Sequence, residues 1–113
     1  MNAYAIGILD SVEMGPPIAQ YLEGIDATLA PFGGRFLIHG GDSRVLEGTW
    51  TSDLIVLEFP DLKSASAWYA SPAYQAILPL RRRNAAGTVL LMEGVGPGHA
   101  ATDILRRAQS VPL

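Results

Sequence analysis

The sequence predicts an α+β domain in which helices cover one face of a four-stranded antiparallel sheet. Three observations predict this fold. Four short apolar segments have the length and composition of β-strands, and two further segments carry helix-start signals. These segments follow one another as strand, helix, strand, strand, helix, strand. Glycine and proline residues separate them, as is usual for turns and helix ends.

The first strand and the first helix account for the opening third of the chain. Residues 3–9 are nearly all apolar, which predicts a strand. After a turn, Pro16-Pro17 begins a helix and Gly33-Gly34 ends it. The apolar residues of this helix recur at helical spacing. They are Ile18, Tyr21, Leu22, Ile25, Leu29 and Phe32.

The second and third strands are predicted to form a hairpin. Strand two covers residues 35–38, bends at Gly40-Gly41 and resumes over residues 44–47, because a glycine pair inside a strand is typical of a bulge or bend. A turn at residues 48–52 then leads to strand three, which covers residues 53–59.

The position of this turn determines how the two strands are expected to pair. Residues 44–48 would pair with residues 53–57, so that residues 35–39 overhang the end of strand three. An unpaired apolar overhang promotes aggregation unless another chain covers it. We therefore expect a partner subunit to pair with this overhang.

A second helical region runs over residues 61–84 and contains a corner. Proline disfavours helical geometry at the residue before it but suits the first position of a helix. Ser71-Pro72 therefore divides the region into two short helices. The corner is expected to bring the large aromatic side chains of Trp68, Tyr69 and Tyr74 close together.

The end of the chain supplies the last strand and a tail. Strand four covers residues 88–93, and residues 94–99 are interpreted as a linker to a weakly amphipathic helix over residues 100–109. We expect one ferredoxin-like domain over residues 1–95, with the linker and tail at 96–113. The apolar stripe of the tail helix would comprise Ile104, Ala108 and Val111.

The element order matches the split β-α-β unit of ferredoxin-like folds. Two helices cover only one face of a four-stranded sheet, yet strands three and four are apolar on both faces. Hydrophobic residues make up 49% of the chain and charged residues only 17%, so either the core is unusually complete or some apolar surface is buried against a partner. The strand patterns favour the second alternative. The sequence therefore predicts a homodimer in which two copies of the sheet pack face to face.

Composition narrows the possible functions. The chain of 113 residues has a net charge of −3, so it has no general attraction for nucleic acids or acidic membranes. It contains no cysteine, which excludes disulfides and thiolate metal sites. The first residues lack the basic start of a signal peptide, and the apolar segments are too short to span a membrane. We expect a cytoplasmic globular domain.

Several segments of the chain form a recognisable combination. They are Gly33-Gly34-Arg35-Phe36-Leu37, Val45-Leu46-Glu47-Gly48 with Trp50, Leu57-Glu58-Phe59-Pro60, Ala67-Trp68-Tyr69, Ser71-Pro72-Ala73-Tyr74-Gln75 and Glu93-Gly94. In this combination the chain resembles the uncharacterised family called domain of unknown function 1330, in the dimeric α+β barrel superfamily. The resemblance covers roughly residues 3–95.

This resemblance implies a ferredoxin-like protomer and a dimer, with no established reaction and no agreed catalytic residues. Relatives in the superfamily include cofactor-free monooxygenases, small isomerases, dye- or haem-handling enzymes and stress-responsive binders. Because one fold supports many activities, these relatives supply an analogy of fold only.

Two residues are candidates for acid–base chemistry. His39, near the end of strand two, is a candidate general base, or else a polar residue beside the glycine bend or at a dimer edge. Glu58 lies on an apolar strand face, where it would act as an acid or base, or else reach water or pair with an arginine. Neither His39 nor His99 has an acidic residue at metal-ligand spacing, so we predict no metal site and no cofactor.

Aromatic residues are the expected lining of a ligand pocket, because rings offer apolar contact area and tyrosine adds a hydroxyl group. Trp50, Tyr69 and Tyr74 are the candidates, and plain core packing is the alternative that we favour for Trp68. Trp50 lies in a turn, so it either caps the mouth of the pocket or enters the dimer interface.

Two arginines are candidate ligand-binding cations. Arg81 belongs to a run of three arginines at a helix end, where the run complements the helix dipole or else binds a phosphate or carboxylate. Arg35 would bind a ligand or pair with a carboxylate across the dimer. A single basic run in an acidic protein does not support nucleic-acid binding.

Two functions of different classes are open at this stage. The first, which we favour, is a dimeric module that binds a small apolar or aromatic ligand between sheet and helices. The second is a small cofactor-independent enzyme, monooxygenase- or isomerase-like. In it Glu58 or His39 moves a proton while aromatic side chains orient the ligand.

Overall fold

The computed structural model describes residues 1–110 and has the predicted order of elements. The strands are β1 (Ala3–Val12), β2 (Arg35–His39), β3 (Asp53–Phe59) and β4 (Ala85–Glu93). The helices are α1 (Pro16–Leu29), α2 (Leu62–Ala70), α3 (Pro72–Arg82) and α4 (Asp103–Ser110), and a short 3-10 helix, Ala30–Phe32, follows α1.

The four strands form one antiparallel sheet in the order β2-β3-β1-β4. This is the strand order of a ferredoxin-like fold, so the predicted fold class is confirmed. The register places Ala5 of β1 between Leu57 and Leu91 on one face of the sheet. The next residue, Ile6, lies between Val56 and Leu90 on the other face.

The face that contains Ala5 is covered by α1, α2 and α3 and forms the core. We call it the helix face. Phe59 and Trp68 pack with their ring centres 5.3 Å apart, and Trp68 lies 4.2 Å from the ring centre of Tyr74. These three are the largest fully buried side chains among the described residues. The aromatic corner predicted from the sequence is therefore part of the main hydrophobic core.

The corner between α2 and α3 is held by capping side chains. Asp61 caps α2 by accepting a hydrogen bond from the backbone N–H of Ser64 at 2.7 Å. Ser71 has extended backbone geometry (ψ 144°), as expected before a proline. Its hydroxyl donates to the carbonyl of Trp68 at 2.7 Å and accepts from the N–H of Tyr74 at 3.3 Å. One serine therefore ends one helix and begins the next.

A buried hydrogen bond joins this corner to α1. The indole Nε1 of Trp68 donates to Oγ1 of Thr28 at 3.0 Å, and that hydroxyl donates to the carbonyl of Ile25 at 2.7 Å. Both side chains are buried, so water cannot replace either bond. The bond therefore fixes α2 against α1 at one point.

The hairpin register predicted from the sequence is wrong. Residues 44–47 do not form a strand but lie in an exposed segment, residues 40–52, which we call the exposed loop. Instead β2 itself pairs with β3, from Arg35 opposite Glu58 to His39 opposite Ile55. This pairing nearly reaches the start of β3 at Asp53, so β3 offers no partner for residues 44–47. The predicted overhang of residues 35–39 is therefore absent.

The second face of the sheet is apolar, as the strand patterns predicted. We call it the open face. Its side chains are half-buried or exposed in the described part of the chain, and none of them is buried. Its central residues are Tyr4, Ile6, Ile8, Leu54, Val56, Leu90 and Met92.

The tail helix begins slightly later than predicted, at Asp103 rather than residue 100. The carboxylate of Asp103 accepts from the N–H of Ala100 at 3.2 Å and pairs with Arg106 at 2.8 Å. The predicted stripe includes Val111, which lies outside the described residues. Within the described residues no helix combines the length and apolar character that crossing a membrane requires.

We expect Thr28→Val to destabilise the protein by about 1–3 kcal/mol, because it leaves the buried N–H of Trp68 without an acceptor while preserving side-chain shape. Urea denaturation measures this loss. Thr49→Val is the matched control, since Thr49 is exposed between β2 and β3 and does not line the sheet. A loss below about 0.5 kcal/mol, as for an ordinary surface change, would contradict the role of this bond.

Candidate functional site

A cavity of about 570 Å³ lies between the helix face of the sheet and the helices α1 and α3. Small side chains on the central strand β1 create it, because neither Ala5 nor Gly7 reaches across to α1. Its walls are mainly aliphatic. They include Ile18, Leu22 and Ile25 of α1, Ile55 and Leu57 of β3, and Val89 of β4.

Gly7 keeps the centre of this cavity free. A Cβ atom built on Gly7 would have the Cβ of Ile55 as its nearest neighbour, at an ordinary contact distance of 3.7 Å. The backbone of Gly7 does not have a positive φ angle. Neither strain nor crowding therefore requires glycine here. A glycine inside a strand is frequently a place where a ligand approaches the backbone closely.

The polar part of the cavity wall is a cluster formed by Tyr21, Tyr74 and Arg81. The hydroxyl oxygens of Tyr21 and Tyr74 are 2.8 Å apart, so one hydroxyl donates to the other. The guanidinium carbon of Arg81 lies 5.9 Å from the ring centre of Tyr21, within the range of a cation–π contact. We call these three residues the tyrosine–arginine cluster.

Burial changes the acidity of this cluster. Burial raises the pKa of the Tyr21 phenol far above its usual value of 10.0, and the neighbouring Tyr74 adds to the rise. The cation of Arg81 acts in the opposite direction but is the weaker influence. Tyr21 is therefore a neutral hydrogen-bonding group at neutral pH, and Arg81 supplies the positive charge of the cluster.

The mouth of the cavity is where the ends of several strands meet. Asp10 at the end of β1 and Asp53 at the start of β3 both line it and are exposed. The hydroxyl of Ser52 donates to Oδ1 of Asp10 at 2.6 Å, which links the exposed loop to β1. His39, at the end of β2, also lines the mouth and stacks on Phe36 with ring centres 4.3 Å apart.

The structure brings three of the seven predicted site residues to the cavity. His39, Tyr74 and Arg81 line it. Tyr69 packs beside the cavity wall, with its ring centre 5.5 Å from that of Tyr74. Trp50 lies in the exposed loop with 43% of its surface accessible.

The other two predicted site residues lie together on the open face. Nη2 of Arg35 is 2.8 Å from Oε1 of Glu58, and Nε of Arg35 also donates to that oxygen at 3.0 Å. The side chain of Glu58 is only 18% exposed. Glu58 therefore pairs with an arginine of its own chain, which was one of the two interpretations of its sequence position.

Two residues of the site were not predicted from the sequence. Tyr21 was assigned to the core stripe of the first helix, and Gly7 was passed over as part of an apolar strand. Both positions nevertheless carried a signal. A tyrosine in an otherwise aliphatic stripe needs a partner for its hydroxyl, and a glycine in a central strand leaves space beside it.

His99 does have an acidic neighbour at i+4 spacing, contrary to the sequence interpretation, because its Nδ1 lies 3.5 Å from Oδ2 of Asp103. Among the described residues, however, no group of three or more His, Asp or Glu side chains is placed to hold a metal ion. The prediction that the protein uses no cofactor remains a prediction.

A family model described as Domain of unknown function (DUF1330) matches residues 2–95 of the chain. No curated protein matches it. Among solved structures, RPA0582, a protein of unknown function from Rhodopseudomonas palustris, has a TM-score of 0.62 and 15% identity. That alignment covers 87% of this chain and 84% of RPA0582.

Two further solved structures have the same fold. SnoaB, a cofactor-independent oxygenase from Streptomyces nogalater, has a TM-score of 0.56 and 14% identity over 88% of this chain and 98% of SnoaB. A dimeric ferredoxin-like protein of unknown function from Jannaschia sp. CCS1 has a TM-score of 0.53 and 16% identity, over 85% of this chain and 100% of that protein. At these identities the likeness shows the fold alone.

We expect stability to fall as the pH rises above about 10, because the folded protein holds a proton on Tyr21 that the unfolded chain releases near that pH. The contribution of Tyr21 is thus fully present at lower pH. Above pH 10 it declines by up to about 1.4 kcal/mol per pH unit. Urea denaturation at a series of alkaline pH values measures the slope.

Tyr21→Phe should flatten this alkaline slope. The neutral-pH measurement is the control, since there the variant differs by the lost hydrogen bonds of the Tyr21 hydroxyl to Tyr74 and Arg81 and not by the charge of residue 21. An unchanged slope in Tyr21→Phe would show that other groups cause the alkaline loss.

Proposed function

We propose that this chain, which belongs to the family described as Domain of unknown function (DUF1330), is a homodimeric binding protein. Each protomer binds one small apolar or aromatic molecule in the cavity between its sheet and its helices. The observation that carries the proposal is the cavity of about 570 Å³, with mainly aliphatic walls and one polar cluster. The cytoplasmic location expected from the sequence remains a prediction.

The size and chemistry of the cavity support a small-molecule ligand. Ligand pockets in proteins usually measure about 300–1,000 Å³ and combine apolar walls with a few polar groups that orient the ligand. This cavity meets both conditions, and Gly7 leaves its centre free of side-chain atoms. Tyr74, one of the residues that the sequence predicted to orient a ligand, belongs to this polar cluster.

The open face supports the homodimer. Monomeric proteins rarely expose a large continuous apolar patch, and a four-stranded sheet with one bare apolar face needs a second layer. A second copy of the same sheet has a matching apolar surface, and the structurally similar Jannaschia protein is described as dimeric. The Arg35–Glu58 pair lies on this face, so we place it in the interface rather than in the cavity.

The alternative is a cofactor-independent enzyme, a description that SnoaB carries. The observation that favours it is His39 at the mouth of the cavity, where an imidazole would exchange protons with a bound molecule. Glu58 is on the opposite face of the sheet, so in this version His39 carries the acid–base role. Mass spectrometry of protein purified from its own cells separates the two functions. An unchanged retained compound supports binding, and conversion of that compound supports the enzyme.

We expect a graded series at Gly7 to weaken ligand binding, because each added side-chain atom enters the cavity. N-phenyl-1-naphthylamine, a neutral apolar fluorophore, is the probe. Gly7→Ala should weaken its binding slightly. Gly7→Leu should weaken it at least tenfold, or by about 1.4 kcal/mol, in a fluorescence titration.

Gly24→Ala is the control for this series. Its Cβ would contact Ile77 of α3 at 3.6 Å, between two helices and outside the cavity lining. Probe binding should therefore match the wild-type protein. If Gly7→Leu folds and still binds the probe with wild-type affinity, the ligand does not occupy this cavity.

We expect the wild-type protein to sediment as a dimer and Ile6→Lys to sediment as a monomer, because the substitution places a charge at the centre of the open face. Val56→Lys tests the neighbouring position opposite Ile6. Leu62→Lys is the control, since Leu62 is exposed on α2 and far from the open face. Circular dichroism reports whether each variant is folded. A wild-type protein that is monomeric at all concentrations would contradict the proposed dimer.

A further inference from the structure

We infer that the ligand of the cavity is a monoanion: an apolar or aromatic body that carries one carboxylate, sulfonate or similar acidic group held by Arg81. This inference rests on the proposed function and adds the charge of the ligand to it. The geometry of Arg81 and of its two tyrosine neighbours carries it, together with the distribution of charge around the cavity.

Arg81 differs from the two arginines that follow it. All three end or follow α3, but only Arg81 lines the cavity, whereas Arg82 and Arg83 are exposed and lie along a separate shallow groove. Two exposed cations are enough to complement the end of a helix dipole. The position of Arg81 at the cavity wall therefore needs another explanation.

Arg81 has no carboxylate partner among the described residues. None of the ion pairs found there includes it, and its close polar neighbours are the neutral hydroxyl groups of Tyr21 and Tyr74. The hydroxyl groups of Tyr74 and Tyr21 offset the burial of this guanidinium but carry no negative charge at neutral pH. An acidic group on the ligand would supply that opposite charge, and its two oxygens match the planar fork of guanidinium.

The two tyrosines add a directed donor. Since one hydroxyl donates to the other at 2.8 Å, the second hydroxyl keeps a hydrogen that is available to a further acceptor. Arg81 lies over the ring of Tyr21, so this hydrogen and the guanidinium N–H groups belong to the same part of the wall. A ligand oxygen placed there accepts from both.

The rest of the cavity limits the ligand to one acidic group. Beyond Arg81, its walls are mainly aliphatic, and the charged groups at its mouth are the carboxylates of Asp10 and Asp53. Neither carboxylate lies within 4.0 Å of Arg81, and both would repel a second negative charge. Polyphosphates and dicarboxylates are therefore unsuitable ligands.

Two fluorescent probes with the same body test the inference. 8-Anilinonaphthalene-1-sulfonate has the carbon skeleton of N-phenyl-1-naphthylamine and adds one sulfonate. We expect the wild-type protein to bind the sulfonate probe at least tenfold more tightly. Arg81→Met keeps much of the side-chain length without the charge and should remove this preference, so that the two probes bind with similar affinity. Arg82→Met is the matched control and should keep the preference.

Further variants distinguish a failure of this inference from a failure of the proposed function. Gly7→Leu should weaken both probes, which locates them in the cavity rather than on the open face. Arg81→Lys should restore part of the preference, because it returns the charge without the planar fork. If the neutral probe binds but the sulfonate adds nothing, or if Arg81→Met keeps the preference, the inference is wrong while the proposed function stands. If neither probe binds the wild-type protein, both are wrong.

Discussion

The contacts that hold α1 against the corner of α2 and α3 determine the rest of the structure. Two hydrogen bonds make this connection: Trp68 to Thr28, and Tyr74 to Tyr21. Both are buried, and no buried side-chain polar atom among the described residues lacks a partner. Leaving a buried polar group unpaired costs more free energy than forming its hydrogen bond contributes. These pairs therefore select one arrangement of the helices over others. That arrangement sets the space between α1, α3 and β1.

The cavity follows from this arrangement and from the small residues of β1. The helices are held at the aromatic corner, where Phe59 and Trp68 fill the core. Towards the mouth, the central strand presents Ala5 and then Gly7, so the distance between sheet and helix is no longer filled. The same hydroxyl pair that fixes α3 against α1 also faces this space. The bonds that stabilise the fold therefore leave a directed polar group beside an apolar cavity.

The open face of the sheet, which no described helix is shown to cover, is a second constraint on the structure. Arg35 and Glu58 form an ion pair there, with the carboxylate already largely shielded from water. Burying a lone charge in an interface would be costly, but a pair that is formed within each protomer would enter the proposed interface already neutralised. The open face therefore combines a continuous apolar centre with a charge pair on β2 and β3, which suits a specific interface better than non-specific aggregation. In the proposed dimer the interface and the cavity therefore lie on opposite faces of the sheet.

The sequence was informative wherever a local rule decided the structure. Strand β3 was predicted with its observed bounds, because a continuous apolar run ends at Pro60, and the corner followed from Ser71-Pro72. The exposed loop was not predictable in the same way. Val45 and Leu46 have strand propensity, but β2 occupies the edge of β3 with which they would pair. Only the register of the whole sheet shows that this edge is occupied.

The site shows the same limit at the level of single side chains. Tyr74 and Arg81 were candidates because an aromatic corner and a basic helix end are visible in one dimension. Tyr21 was not a candidate, because its role depends on the hydroxyl of Tyr74, 53 residues away in the chain. A fold shared at 14–16% identity cannot supply that information either, because at such identities the likeness shows the fold and not the side chains that line the cavity. The polar chemistry available in this cavity comes from the tyrosine–arginine cluster and from His39 at the mouth. The cluster consists of hydroxyl groups and one permanent cation, which suit binding and orientation, whereas His39 is the acid–base candidate of the proposed enzyme. The two proposed functions therefore depend on different parts of the same cavity wall.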